Sequence, residues 1–387
     1  MRILVVLPRF PYPLDKGDKL RAYHQIVELA KRHEVHLFAL SHKRVPHDDY
    51  DHLHTLCTAV DYVHLHWWES AWGVLKAFLG GKPLQAGYWT LRRARQEYLR
   101  WEQQVQPDVV YCQMVRTIPT VEGSSCRKVL DFQDALSLNT HRRMEYSHGP
   151  LRWILHYESR ALQRYEQQAL ALFDATTVIA PADRDAISPS VHLVPNGVDT
   201  DYFSPRAAGV SPKYSIVFTG NMSYAPNVDA ACWLVNEIMP TVWKRCPYGI
   251  NVLIAGADPK PAVRALAGPR VTVSGRLPDI RSAYASARMF VAPMRIGSGM
   301  QNKLLEAMAM GLPCVTTSIA ATPLGATPWE HLLVGDTAEE IADLIVKLTI
   351  DEMHHAIADG GHRFVLEHFS WPAAVEPLEE ILNTLKL

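Results

Sequence analysis

Pro293-Met-Arg-Ile-Gly-Ser-Gly-Met-Gln-Asn-Lys-Leu-Leu-Glu-Ala-Met-Ala-Met-Gly-Leu-Pro313 reads as the end of a strand, a glycine-bearing loop, a helix and the approach to a second strand. Apolar runs at Phe290–Pro293 and Cys314–Thr317 supply the two strands. Gly297 and Gly299, with Ser298 between them, let the backbone come close to a ligand, and the unpaired N–H groups of a helix opening near Met300 favour a phosphate. Lys303 and Glu306 are three positions apart and share a helix face, so the ammonium can meet a diphosphate while the carboxylate accepts two ribose hydroxyls. Gly311-Leu-Pro313 ends the helix. An ordinary strand-loop-helix with a surface Lys–Glu pair fits the same residues, and the third glycine of a dinucleotide-binding fingerprint is missing.

The alternation of short β-branched runs with helical patterns extends in both directions, the pattern of parallel α/β sheets. Before residue 190, strands are expected at Ile3–Leu7, Val35–Leu40, Val60–Leu65, Val109–Cys112, Val129–Phe132 and Ala175–Ile179, with helices near Lys19–Arg32, Thr90–Gln104 and Leu151–Phe173. After the turn at Pro195-Asn196-Gly197 the winding starts again at Ser215–Thr219 and continues through Asn251–Ala255 and Val271–Val273 to the quoted stretch. At 387 residues the chain has room for two cores. The expected organisation is one Rossmann-like domain over residues 1–190, a second over 191–370, and a C-terminal helix over 371–387 packing back on the first.

Composition excludes other classes. With 39 Lys and Arg against 40 Asp and Glu, 20% charged and 48% hydrophobic residues, the chain is neither disordered nor fibrous, and it has no charge excess that would seek nucleic acid. Six cysteines stand singly, without zinc-ligand spacing, which points to a reducing cytosol. The run Ile3–Pro8 is too short for a signal-peptide core, and no apolar stretch reaches the ~18 residues of a membrane span. The 18 histidines form no H-E-x-x-H pattern, and His64 with His66, or His52 with His54, suit a half-polar surface.

Ligands of open α/β sheets bind beyond the carboxyl ends of the strands, so the loops after strands are the places to look. Pro11-Tyr-Pro-Leu-Asp-Lys-Gly17-Asp18 follows the first strand, and Asp131-Phe-Gln-Asp134 the fifth. Gly17 lies in the first of these loops, where a plain turn capped by Asp18 with a proline-rich entry fits the same residues. Asp134 lies in the second, where a helix cap or turn residue fits as well.

Three further segments carry a family likeness. Glu306-Ala-Met-Ala-Met-Gly311-Leu-Pro-Cys-Val315 resembles the E-A-M-A-x-G-x-P-V-V segment of the family 4 retaining glycosyltransferases of the GT-B fold. Pro195-Asn196-Gly-Val-Asp199 with Phe203 resembles that family's interdomain motif, and Phe218-Thr-Gly220 its strand end. Gly220–Asp229 and Arg295–Met310 look most like the subgroup beside bacterial exopolysaccharide and protein-sorting loci. The resemblance implies two Rossmann-like domains facing across a cleft, with C-terminal helices returning to the N-terminal domain. It also implies retaining, metal-independent transfer, without a cofactor, from a nucleoside-diphosphate sugar to a hydroxyl of a glycan or lipid-linked acceptor. By the resemblance Gly17, beside the donor phosphate, and Asn196, Gly220, Gly297, Ser298, Gly299, Lys303 and Glu306 are donor-side residues, and Asp134, towards the acceptor or the transferred sugar, and Lys303 are the catalytic ones.

The chain also departs from that pattern. The family's first glutamate falls at Ser298, and its diphosphate-gripping Arg and Lys fall at Asn221 and Pro226. Lys303, with Arg276 or Arg295, is expected to supply the missing charge. These losses keep two other readings open, a non-catalytic nucleotide-sugar-binding protein and a GT-B-fold hydrolase or phosphorylase. The segment 67–105 holds five of the ten tryptophans together with Lys76, Lys82, Arg92, Arg93, Arg95 and Arg100. It suits an anionic membrane surface at the inner face of the membrane, or aromatics in the core beneath a solvated arginine face.

Overall fold

The computed structural model describes residues 1–145, 147–205, 212–296 and 299–385. It divides into two compact units, Met1–Pro195 with Ala374–Leu387 and Asn196–Ala373. The first break falls a few residues after the expected 190, next to the Asn196-Gly197 turn.

The first unit is a seven-stranded sheet in which every pairing is parallel. Its strands are β1 (Arg2–Leu7), β2 (Glu34–Ser41), β3 (Ala59–His64), β4 (Val109–Gln113), β5 (Lys128–Asp131), β6 (Ala175–Val178) and β7 (His192–Leu193), in the order β3-β2-β1-β4-β5-β6-β7. β1 is β-branched and leucine-rich and almost wholly buried, as a strand covered on both faces must be. The order reverses direction between β1 and β4. The second unit repeats the design with β8 (Tyr214–Thr219), β9 (Val252–Ala255), β10 (Val271–Gly275), β11 (Ala287–Ala292), β12 (Cys314–Thr316) and β13 (Leu333–Val334), ordered β10-β9-β8-β11-β12-β13 and again all parallel. Here the reversal lies between β8 and β11.

Among the described residues, sequence patterning found every strand except the two-residue edge strands β7 and β13, which are too short to show a period. It missed the helices His47–His54, Trp67–Leu79 and Leu136–Glu145. The first puts His52 and His54 on a helix, where the His52 ring packs against Tyr12 and Tyr23. Only the last helix, Trp371–Thr384, returns to the first unit, where Glu379 pairs with Arg32 at 2.6 Å and His33 at 3.2 Å. The preceding helix, Asp351–His368, stays in the second unit, against the expectation that the C-terminal helices return together.

Candidate functional site

A sheet whose order reverses leaves a crevice, because the loops after the two central strands depart in opposite directions. In the second unit these loops follow β8 and β11, so Gly220 and the described loop residues 293–296 and 299–301 meet at one place by topology.

The β8 loop is built close. Gly220 has φ +157° and Gly256 has φ +148°; a Cβ on Gly256 would lie 1.7 Å from the Gly220 carbonyl oxygen, and one on Gly220 would lie 2.7 Å from Asn227 Nδ2. Asn227 donates from Nδ2 to the Asn221 carbonyl at 3.0 Å and accepts at Oδ1 from Lys303 Nζ at 2.5 Å. Lys303 lies in the helix Asn302–Ala309 and also points at Met294 Sδ, 3.7 Å away, and over the Phe218 ring. Burial lowers its pKa to about 8, with Glu306 acting in the opposite direction. The amine is therefore held at the crevice by a neutral amide rather than engaged by a carboxylate.

Glu306 sits one turn later. Tyr284 donates its hydroxyl to Glu306 Oε2 at 2.6 Å, and the same hydroxyl lies 2.8 Å from Thr219 Oγ1 at the end of β8. Burial raises the carboxyl's pKa, while Tyr284 and Lys303 pull it down. Tyr284 itself is fully buried and its hydroxyl is pushed well up by burial and by Glu306. One ammonium and one carboxylate, each fixed from a neighbouring element, can bind a phosphate and a diol respectively.

The remaining donor-side candidates divide. Gly299 is described, with open space at its Cα, and its carbonyl accepts from Gln301 Nε2 at 3.0 Å; Gly297 and Ser298 lie outside the described residues. Arg295 was expected to be a spare cation, but its guanidinium makes two hydrogen bonds to Asp229, at 2.7 and 3.0 Å, and stacks over Trp233. Arg276 is exposed and pairs with Asp258 at 3.5 Å. Both positive charges are thus partly met by a carboxylate already. Asn221 accepts at its side chain from Ser223, and Pro226 is buried in the first turn of its helix.

In the first unit the loops after β1 and β5 hold the other candidates. Gly17 opens the helix Gly17–Ala30, where a Cβ would meet nothing within 4 Å, and Asp18 binds Arg9 at 2.5 Å instead of capping that helix. Asp134 is half-buried after β5, and burial together with Asp183 and Asp131 raises its pKa to about 6. Beside it is a buried network that spacing did not reveal. Arg21 Nε donates to Asp131 at 2.7 Å, while its terminal nitrogens donate to the Val194 and Pro195 carbonyls at 2.9 Å. Tyr111 donates to Asp131 at 3.0 Å or to Gln25 at 2.8 Å. Arg21 thus ties the first helix to the chain that leads into Asn196, and a Cβ on the next residue, Gly197, would lie 2.6 Å from Trp371.

Asn227 and Tyr284 are the site residues sequence reasoning missed. Asn227 lay inside the quoted Gly220–Asp229 segment. Tyr284 comes from the short helix Arg281–Ala285, which carries no motif.

Comparisons with known proteins bear on the fold and the family of the second unit. Residues 213–351 match the family model described as Glycosyl transferases group 1. A Klebsiella pneumoniae protein named "Uncharacterized 44.6 kDa protein in cps region" is 22% identical over 355 residues, covering 87% of each chain. Sucrose-phosphate synthase from Thermosynechococcus elongatus superposes with a TM-score of 0.69 at 15% identity, over 100% of this chain and 99% of that one. Anabaena HepE in complex with UDP superposes with a TM-score of 0.65 at 15% identity, over 99% of this chain and 100% of that one; HepE was also solved with UDP-glucose. The fold is therefore GT-B.

Proposed function

We propose that this chain, whose residues 213–351 match the family model described as Glycosyl transferases group 1, moves a sugar from a nucleoside-diphosphate sugar to a hydroxyl of a glycan or lipid-linked acceptor. The observation that carries this reading is Lys303, an amine held at the β8/β11 crevice by Asn227 and left without a carboxylate partner among the described residues. The UDP and UDP-glucose complexes of HepE support a nucleotide-sugar donor, and the cps-region relative supports a place in bacterial surface polysaccharide or glycoconjugate synthesis.

In this reading Lys303 and the loop amides near Gly299 meet the diphosphate, and Glu306 takes the ribose hydroxyls. Charge accumulates on the departing diphosphate in the transition state, so a pre-placed ammonium contributes more there than in the ground state. Transfer with retention, without metal or cofactor, needs no protein nucleophile; the protein's part is positioning. Asp134 serves the acceptor side in the first unit, and the acceptor is met at the inner, cytoplasmic face of an anionic membrane through the 67–105 segment. Nucleic acid has no role.

A second reading has an observation in its favour. Asp229 and Asp258 engage Arg295 and Arg276, which among the three expected cations leaves Lys303 for a diphosphate and suits binding without turnover. Thermal unfolding with UDP, GDP, ADP and CMP selects the nucleotide, since a ligand at a hundred times its Kd stabilises by about 2.7 kcal/mol. Radiolabelled transfer from the matching nucleotide sugar to membrane lipid extracts then decides. Product formation insensitive to EDTA is expected, tight binding with no product supports the second reading, and no stabilisation by any nucleotide overturns both.

A further inference from the structure

The helix Trp67–Leu79 is seated the wrong way round for a globular surface. Its buried side is made of small residues, Ser70, Gly73 and Ala77, and a Cβ on Gly73 would lie 2.2 Å from the Gly87 carbonyl oxygen. Its large residues face water: Trp68, Trp72, Leu75 and Leu79, spaced i, i+4, i+7 and i+11, form one exposed stripe. Phe78 packs on Tyr157 of the helix Pro150–Leu172, ring centroids 5.4 Å apart, and one turn earlier on that helix Trp153 is 78% exposed and Ile154 is exposed too. A contiguous apolar surface of this kind marks an interaction site.

Against the inner side of the same helix lies a cavity of about 590 Å³. Its charged lining is Lys76, Lys82, Arg92, Lys128 and Glu122. Glu122 is paired with Arg95 at 2.9 Å, and Lys128 donates to the Ser124 and Cys126 carbonyls. Among the described residues no carboxylate lies within ion-pair distance of Lys76, Lys82 or Arg92, so the cavity holds unmatched positive charge. Lys76 also lies over the Trp72 ring, 5.1 Å from its centroid, at the border between stripe and cavity. Arg93 and Arg95, by contrast, are engaged by Glu69 and Glu122, so the arginines expected at this surface are reduced to Arg92 and Arg100. Trp89 is buried and Trp101 packs against the core, so only the first three tryptophans of the segment remain outside.

We infer that this cavity receives the anionic headgroup of a membrane lipid while the Trp68–Leu79 stripe enters the apolar layer. The inference rests on the membrane reading above and adds a specific site to it. With the outer stripe reaching deepest, the bordering lysine and then the cationic cavity on the inner side of the helix fall at the level of the anionic headgroups above the apolar layer. The cavity adjoins Lys128, which opens β5, and Phe173, which precedes β6. It is therefore at the amino ends of the strands, whereas Gly17 and Asp134 follow the carboxyl ends of β1 and β5. The headgroup site is an anchor distinct from the acceptor position.

Two binding experiments test it on the full chain: co-sedimentation with phosphatidylcholine vesicles containing one third phosphatidylglycerol, and calorimetric titration with monomeric dihexanoyl phosphatidylglycerol. Wild type is expected to bind both, and to leave pure phosphatidylcholine vesicles in solution. Lys82→Gln with Arg92→Gln should weaken vesicle binding about tenfold or more and abolish binding of the monomer. Trp68→Ser with Trp72→Ser should lose the vesicles and keep the monomer. Wild-type-like vesicle binding by the charge variant, with no monomer binding by wild type, overturns the headgroup site and leaves the membrane reading standing. Absence of wild-type vesicle binding overturns both. A dimer in sedimentation velocity that the tryptophan variant abolishes, without vesicle binding, assigns the stripe to self-association and also overturns the inference.

Discussion

Tyr284 donates its hydroxyl to Glu306 at 2.6 Å from a helix that precedes β11, while Glu306 itself follows β11. A buried carboxylate is costly unless it is hydrogen-bonded, so this contact is what lets Glu306 remain an acceptor for ligand hydroxyls. Tyr284→Phe should lower stability by about 1–3 kcal/mol and raise the Glu306 pKa further, because the hydrogen bond that favours its charged form is lost. Denaturant unfolding of the variant measures the first effect. The second shows as nucleotide affinity that declines at a higher pH than in wild type when the solution is acidified.

Lys303 separates binding from stability. Its folded pKa of about 8 lies below the ordinary lysine value of 10.5, so the unfolded chain binds more protons between these values and stability rises with pH across that window. The charge that costs stability is the one that binds diphosphate. Nucleoside-diphosphate affinity should therefore be level below about pH 8 and weaken above it, by up to about tenfold per pH unit. Lys303→Met should lose most nucleotide binding while unfolding no more easily than wild type at neutral pH. Titration calorimetry across that pH range, paired with thermal unfolding, checks both.

Gly220 and Gly256 should respond differently to alanine. On Gly256 a methyl would strike the Gly220 carbonyl at 1.7 Å, which the backbone cannot yield; a loss of more than about 3 kcal/mol is expected, seen as a lower thermal midpoint. On Gly220 it would meet the Asn227 side chain at 2.7 Å, which can move. That variant should stay folded yet bind nucleotide more weakly, because Asn227 positions Lys303.

Removing Arg21 would leave Asp131 buried without its cation. Arg21→Met should cost about 3–5 kcal/mol, and adding Asp131→Asn should recover part of it, since the loss is mainly that of an uncompensated charge. A double-mutant cycle by chemical denaturation measures the coupling.

Asp134 has a pKa raised to about 6, so the folded unit favours its protonated form. Stability associated with this group is present at low pH and is lost as pH rises through about 6. Asp134→Asn should flatten that dependence and raise stability at neutral pH by about 1–2 kcal/mol, the group being only half-buried. If it serves the acceptor, transfer falls while nucleotide affinity is unchanged; unfolding at several pH values and a transfer assay report the two effects.

Much of the candidate site was legible before folding. The strand-end glycines, the Lys303–Glu306 spacing and the turn at Asn196 are local patterns, and each falls where a strand ends. The roles of Asn227 and Tyr284 were not legible, since they lie 76 and 22 positions from the side chains they serve, and a helical pattern does not say which remote group a side chain meets. Nor was the engagement of Arg295 by Asp229, 66 positions away. The tryptophans between residues 67 and 105 look alike in sequence, yet Trp89 is buried and Trp67 is 78% exposed.

Two α/β windings, their parallel strands and the helix that puts Lys303 and Glu306 on one face follow from the order of residues, because pleat, helical pitch and glycine's backbone freedom act over a few positions. Folding decided which polar groups meet. The reversal of strand order between β8 and β11 brought distant loops together and turned Lys303 towards an amide and Arg295 towards a carboxylate, while packing in the first unit left a tryptophan stripe outside. Burial and pairing depend on neighbours that are remote along the chain, and a buried charge takes its character from those neighbours rather than from its own segment.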